Sequence, residues 1–390
     1  MTIRSLHGKF VFGVCRFRGI ENNKEIYPTW FGLTGQFPDG YVSSRLGEFA
    51  AFYSNRMSYA GVSGLLRRVC GTRVLSGAGI RDIVTEKASE INRAIRKEVT
   101  DILSDNNPVV FPKINAEVGI YDGDTEEILI SDDGIQVRKQ KTVRQKAADR
   151  SPDDITEEKR RKERINTSVI ILEKSKGGFA YMTAPNDEKG DECVSLKDVV
   201  RSRIIREYGG RRSPLNIVAI TDGATDIRRR LREIFGFQVT LILDWYHLCK
   251  KMREHMSMIS RNRDEKSAHL RFVMYHLWRG NTAEVLNYMK SEIIPKNGKR
   301  LTDLVTYIEK HRHEIINYEL RRSVGKTIGS GRVEKACDQV VGFRQKKKGM
   351  SWGKRGSRAL ATLKIAELNG RWDALWKIAD HSEAASNCLC

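Results

Sequence analysis

The stretch Leu215-Asn216-Ile217-Val218-Ala219-Ile220-Thr221-Asp222-Gly223-Ala224 decides how this chain is read. Its apolar run, Leu215–Thr221, has the length and β-branched content of a buried strand. The run stops at an Asp-Gly pair, a turn signal. A helix is expected from about Thr225 to Phe235, and Val239–Leu243 reads as another buried strand. Working upstream, Ile128-Leu129-Ile130 and Ile135-Gln136-Val137 read as one long strand interrupted by Asp132-Asp133-Gly134. Ser168–Leu172 and Phe179–Met182 flank Lys176-Gly177-Gly178, a hairpin signal. Ser195 can cap an amphipathic helix running through Tyr208. The order is β-β-β-α-β-α-β, which makes this an α/β domain.

After Asp244 the pattern turns helical for about eighty residues, as in Cys249–Ile259 and Ala268–Trp278. Pro295 and Gly298 interrupt it, and helix is expected again over Leu301–Leu320. Beyond Gly329 the apolar positions are Val333, Cys337, Val340 and Val341, then Leu360, Leu363, Ile365 and Leu368. Toward the N-terminus, residues 9–36 are aromatic and β-branched, as in Phe10-Val11-Phe12 and Trp30-Phe31-Gly32-Leu33. They suggest a short sheet closed by Pro38-Asp39-Gly40. From Ser44 to Leu103 the spacing is helical, with Leu46, Phe49, Tyr53 and Met57 on one face and Tyr59, Val62, Leu65, Leu66 and Val69 on the next. Ser76 can cap a longer helix with Ile80, Ile83, Val84, Ile91, Ile95, Val99 and Ile102 inward. Three helices with tight turns resemble a helix-turn-helix module; a plain bundle or dimerisation element has equal standing. Asn106-Asn107-Pro108 is a domain boundary, and 150–166 (RSPDDITEEKRRKERIN) reads as a solvated helix or linker. The expected division is 1–108, 109–247, 248–325 and 326–390, the first region serving DNA binding or dimerisation.

The chain has 390 residues, 40% of them hydrophobic, enough for two or three cored domains at roughly 100–200 residues each. No apolar run approaches the ~18 residues of a membrane span, and MTIRSLHGKF lacks the apolar segment of a secretory signal. A soluble, cytoplasmic protein is expected. The seven cysteines are scattered without a CxxC pair, so neither a disulfide framework nor a structural zinc site is indicated. Lys and Arg number 69 against 49 Asp and Glu, a net +20, which points to a polyanionic partner. Between Arg321 and Arg358 stand twelve basic residues and two acids, so half the excess sits in about a tenth of the chain.

Asp133 lies in the long early strand and Asp222 at the carboxyl end of the Leu215–Thr221 strand, and both can project to one sheet edge, where open α/β sheets place their sites. Glu334 begins the helix after the helical stretch and lies inside the basic block. Three carboxylates from separate elements suit Mg²⁺. Two ions ~4 Å apart would activate an attacking oxygen and stabilise a leaving one in phosphodiester chemistry. An Asp-Gly pair alone is more often a turn than a catalytic site. Order and context lift these above that. Arg344, Lys346, Lys347, Lys348, Lys354, Arg355 and Arg358 surround Trp352 and offer phosphate contacts. For Trp352 itself a core position outweighs base stacking.

Four stretches carry a family resemblance: Ser131-Asp132-Asp133-Gly134, Thr221-Asp222-Gly223-Ala224, Leu243-Asp244-Trp245-Tyr246-His247-Leu248 and Gly329-Ser330-Gly331-Arg332-Val333-Glu334-Lys335-Ala336-Cys337. The last runs on through Arg344 to Lys348-Gly349-Met350-Ser351-Trp352-Gly353. Together they resemble the bacterial insertion-sequence transposases of the ISKra type, distantly Mutator-like. The most specific parts are Asp244-x-x-His247 and the block from Gly329 to Trp352. The resemblance implies an RNase H-like mixed-sheet core with a large helical insertion, preceded by a mainly helical N-terminal domain. It implies DDE chemistry by Asp133, Asp222 and Glu334 with Mg²⁺ (or Mn²⁺), cutting double-stranded DNA at transposon ends and joining it to a target. A homodimer or higher oligomer on DNA follows from the same likeness. Asp244 and His247 would support the site without being primary ligands. Asp132 competes with Asp133, and the family motif, whose acid directly precedes Gly, selects Asp133. Asp338, one turn after Glu334, is a weaker substitute. Relatives often carry a cysteine-rich segment near the N-terminus, where this chain has Cys15 alone. Either the helices from Ser44 to Leu103 recognise the DNA ends, or this copy is shortened. A non-catalytic DNA-binding derivative and an unrelated RNase H-like nuclease are the competing functions.

Overall fold

In the computed structural model the described residues are 1–18, 25–27, 41–104, 106, 108–140, 163–174 and 177–376. The expectations for Trp30–Leu33, Pro38-Asp39-Gly40, 150–162 and Lys176 lie outside them. The chain is a mixed α/β protein. A small sheet comes first, built from β1 (Thr2–Ser5), β2 (Gly8–Val11) and β5 (Tyr41–Val42) in the order β2-β1-β5. Separately, β3 (Phe17–Arg18) pairs with β4 (Glu25–Ile26).

Three helices follow: α1 (Ser44–Ser54), α2 (Tyr59–Cys70) and α3 (Gly77–Leu103). Each begins at a serine, Ser43, Ser58 or Ser76, whose side chain accepts the backbone N–H of the third helical residue. Leu46, Val62, Leu66 and Ile80 close a core between them. Val69, expected inward, is exposed at the end of α2.

The main sheet has five strands in the order β10-β9-β6-β7-β8. β6 (Ile128–Arg138) runs unbroken through Asp132-Asp133-Gly134, because all of these residues pair with β7 (Arg164–Glu173). Arg164–Asn166, expected in a linker, therefore belongs to a strand. β8 (Phe179–Met182) extends the antiparallel side. On the other side β9 (Ile217–Thr221) and β10 (Thr240–Leu243) run parallel to β6. α4 (Leu196–Tyr208), capped by Ser195, leads into β9, and α5 (Thr225–Phe235) joins β9 to β10. These two helices cover one face through Ile130, Ile170, Val200, Ile204, Ala219 and Leu231.

After β10 the chain is helical: α6 (Trp245–Ile259), α7 (Arg263–Trp278), α8 (Thr282–Ser291), α9 (Gly298–His311) and α10 (Tyr318–Ser323). The single helix expected over Leu301–Leu320 is two, since Asn317 caps α10 by accepting from Leu320 N–H at 3.0 Å. This block has its own core, with Leu248, Met252, Met256, Val273, Leu277, Leu304 and Ile308. The chain returns to the sheet through α11 (Gly331–Cys337), a π-helical turn (Asp338–Gly342) and α12 (Phe343–Gln345). It ends in α13 (Lys354–Leu368) and α14 (Trp372–Trp376). The second sheet face is covered jointly by α3, α11 and α13, where Val84, Ala88 and Ile91 meet Ile135, Val169, Val333, Leu360 and Leu363. Among the described residues no helix is long and apolar enough to cross a membrane.

Candidate active site

β9 and β10 end side by side, next to the middle of the longer β6. Ser131 is level with Ile220, and Thr221 with Leu243. Extending the two registers by two residues and by one puts Asp133, Asp222 and Asp244 level on neighbouring strands. Alternation along β6 then separates the two candidate aspartates. Asp133 shares the face of Ile135 and Val137, toward α11. Asp132 turns to the opposite face, where its buried carboxylate meets Arg230 of α5 through contacts of 2.7 and 3.2 Å. Burial nevertheless pushes its pKa up, to about 7, against the pull of Arg230.

Asp133 is half-buried and accepts the N–H of Gly134 at 2.7 Å. Burial raises its pKa. The Gly134 bond, His247 and Lys346 oppose that, while the charge of Asp222 adds to it. Asp222 is exposed at the start of the β9–α5 turn and accepts Ala224 N–H at 2.8 Å. Gly223 makes this turn possible. Its φ is +86°, and a Cβ there would stand 2.9 Å from His311 Cε1. Beneath it lies a buried chain of contacts: His311 Nδ1 to Glu314 at 2.7 Å, and Glu314 to Arg228 of α5 at 2.5 Å.

Asp244 is buried and caps α6, accepting His247 N–H at 2.9 Å. Its other oxygen accepts the Ser330 hydroxyl at 2.5 Å and the Ser330 N–H. Burial alone would raise its pKa, but the hydrogen bonds from His247 and Ser330 outweigh it and hold the carboxyl down at about 2. The His247 ring lies between Asp244, 3.6 Å from Nδ1, and Glu334, 3.5 Å from Nε2. Its pKa is raised, first by Asp244, against burial, with Glu334 and Asp222 adding to it. Glu334 itself is exposed on the first turn of α11. Asp133 and Asp222 feel each other's charge, and His247, which feels the charges of Asp222 and Glu334, contacts Glu334 of α11 directly. Among the described residues, no three or more acidic, His or Cys side chains are already arranged to hold a metal ion. Asp338 opens the π-helical turn, exposed.

The basic residues divide. Lys346, Lys347, Lys348 and Arg355 are exposed and form no ion pair among the described residues. Lys354 pairs with Asp191, and Arg358 with Glu192 at 3.2 Å and Asn186 at 2.6 Å. Arg344, expected at the DNA surface, is instead buried. Its Nε donates to the Ser54 carbonyl at 2.6 Å and its guanidinium lies 4.7 Å from the centre of the Trp352 ring. Trp352 is in the core as expected, donating to the Gln345 carbonyl at 3.0 Å. Ser330 and the His311–Glu314–Arg228 contacts are not signalled by the sequence. Ser330 sits within a quoted motif, but its role depends on Asp244, 86 positions away. No spacing pattern marks His311.

In comparisons with known proteins, no family model matches the chain, and no curated protein matches it significantly.

Proposed function

We propose that the chain is a DDE transposase with an RNase H-like core, making Mg²⁺-dependent cuts at insertion-sequence ends and transferring the strands. The observation that carries this reading is Asp133, midway along β6, beside Asp222 and Asp244, which directly follow the neighbouring parallel strands β9 and β10, with Glu334 in contact with His247. The donor chemistry fits a divalent cation: burial, with the charge of Asp222 adding to it, raises the Asp133 pKa, and hard oxygen donors are what Mg²⁺ takes. Asp133, Asp222 and Glu334 would hold it, and when bound it would supply Lewis-acid activation of an oxygen nucleophile and stabilisation of a leaving oxygen. Both carboxylate oxygens of Asp244 are engaged, by His247 N–H and by Ser330, so it positions the α6 and α11 starts rather than binding the ion. Lys346, Lys347, Lys348 and Arg355, without ion-pair partners among the described residues, would neutralise the DNA backbone next to Asp133.

The test is cleavage of DNA carrying the element's own ends. Asp222→Asn and Glu334→Gln should each abolish cutting while leaving DNA affinity within about twofold. Metal-dependent cutting that survives both substitutions overturns the assignment. An unaltered chain that binds the ends without ever cutting them is a DNA-binding protein instead.

A further inference from the structure

Two exposed aromatic rings flank the turn that delivers Glu334. Tyr246 is 62% exposed, and among the described residues it has no hydrogen bond and no ring partner. Its neighbour Trp245 behaves oppositely, packing against Trp278 and Tyr318 at centroid distances of 4.8 and 4.9 Å. Tyr246 lies against the backbone of Gly329. A Cβ at 329 would stand 2.6 Å from its Cδ2, so only glycine lets the ring settle there. The same glycine borders a small recess with Arg332, Phe179, Glu173, Ile171, Leu129 and Ser131. Phe179 is 42% exposed, and the Arg332 guanidinium, ion-paired with Glu173, sits 5.7 Å from its ring centre. Ring, backbone turn, arginine and second ring therefore follow one another along the edge of the site. His247, next to Tyr246 in the chain, touches Glu334.

We propose that this edge is a shelf for an unpaired DNA strand, with Tyr246 and Phe179 stacking on bases and the half-exposed Arg332 exchanging Glu173 for the backbone. Duplex DNA cannot use it, because paired bases hide their faces from the protein. Exposed rings interleaved with a cation are what sequence-tolerant single-strand binding uses. The chain's net +20 and the exposed lysines 346–348 supply the matching charge. The inference rests on the DNA-processing reading above and adds that the DNA is opened beside the cut.

The experiment uses the full chain without metal, titrated into labelled oligothymidylate and, separately, into a blunt duplex of the same length. Tyr246→Ala should weaken oligothymidylate binding about 5- to 150-fold, the range for losing one stacked base. Duplex binding should stay within twofold, and Tyr246→Trp should restore single-strand affinity. Phe179→Ala should act in the same direction. Equal losses on both probes, or no loss on oligothymidylate, overturn the shelf while leaving the cleavage reading intact. A chain that binds neither probe overturns both.

Discussion

At the scale of single residues, the turn after β9 is the most constrained point of the site. Gly223 combines a φ of +86° with distances of 2.9 Å to His311 and 3.0 Å to Leu243 for any added Cβ. Left-handed backbone costs a non-glycine residue about 1–3 kcal/mol, and here the neighbour is a buried histidine pinned by Glu314. Gly223→Ala should therefore lower stability in urea by at least that much, and should depress cleavage because Asp222 moves with the turn. Unchanged stability would mean that His311 can yield. Asp244 makes a second prediction. Its carboxyl is held at about 2 in the folded chain against an ordinary 3.8. A depressed folded value stabilises above the unfolded pKa, and the gain disappears as pH falls from about 4 to about 2, an effect of about 2 kcal/mol. Asp244→Asn should thus be less stable than the parent by that order at neutral pH, with the gap closing toward pH 2. A gap independent of pH would show that shape, not charge, is what matters at 244. Asp222 is legible in the sequence because it stands at a strand end, and Asp244 because of the Asp244-x-x-His247 resemblance. What holds them is not, since His311, Glu314 and Ser330 come from distant positions that only packing brings near.

Elements are more readable than partners. The strand Phe179–Met182 and the helices through Tyr208 and over Thr225–Phe235 follow directly from periodicity, turn signals and the Ser195 cap. The long β6 strand reads as interrupted because Asp and Gly disfavour strands; pairing with β7 over its whole middle overrides that preference. The basic segment after α11 reads as one surface, and the structure splits it. A run of Lys and Arg carries no period that says which side chain points inward, and Arg344 falls on the inner side of α12. The split gives paired expectations. Arg344→Ala leaves the Ser54 carbonyl without its donor and should destabilise the fold by about 1–3 kcal/mol, with no change in the salt dependence of DNA binding. Neutralising Lys346, Lys347 and Lys348 together should do the reverse, reducing the slope of log affinity against log salt by about 0.9 for each phosphate left without its lysine. Salt titrations and thermal melts of both variants check this, and a flattened slope in Arg344→Ala would contradict the buried placement.

At the scale of the whole molecule, the boundary expected near Asn106–Pro108 cuts through shared cores. Val84, Ala88 and Ile91 of α3 belong with Ile135 and Val169 of the main sheet and Leu360 of α13, while Val99 joins Ile130 and Val200 on the other face. Polar contacts run the same way: Trp372 donates to Glu48 at 2.8 Å, Arg56 pairs with Glu367 at 2.5 Å, and Arg344 reaches Ser54. Sequence cannot show this, because α3 reads as an amphipathic helix whichever surface it covers. The consequence is testable by truncation. A chain of residues 110–390 would uncover the apolar face of α13 and the inward side of β6 and β7. Each large side chain so exposed forfeits about 1.5–3 kcal/mol, and a handful reaches the roughly 5–15 kcal/mol that holds a typical domain folded. The truncated chain should lose cooperative thermal unfolding and bind a hydrophobic dye, whereas the full chain melts in one transition. Recognition of DNA ends by the N-terminal helices must then be probed by substitution, and the exposed Arg67 and Arg68 at the end of α2 are the residues to change. Replacing both with Ala should leave the melt intact and reduce the preference for terminal over scrambled DNA. A sharp, near-parental transition in 110–390 would show that α3 is dispensable to the sheet and restore the boundary at 108.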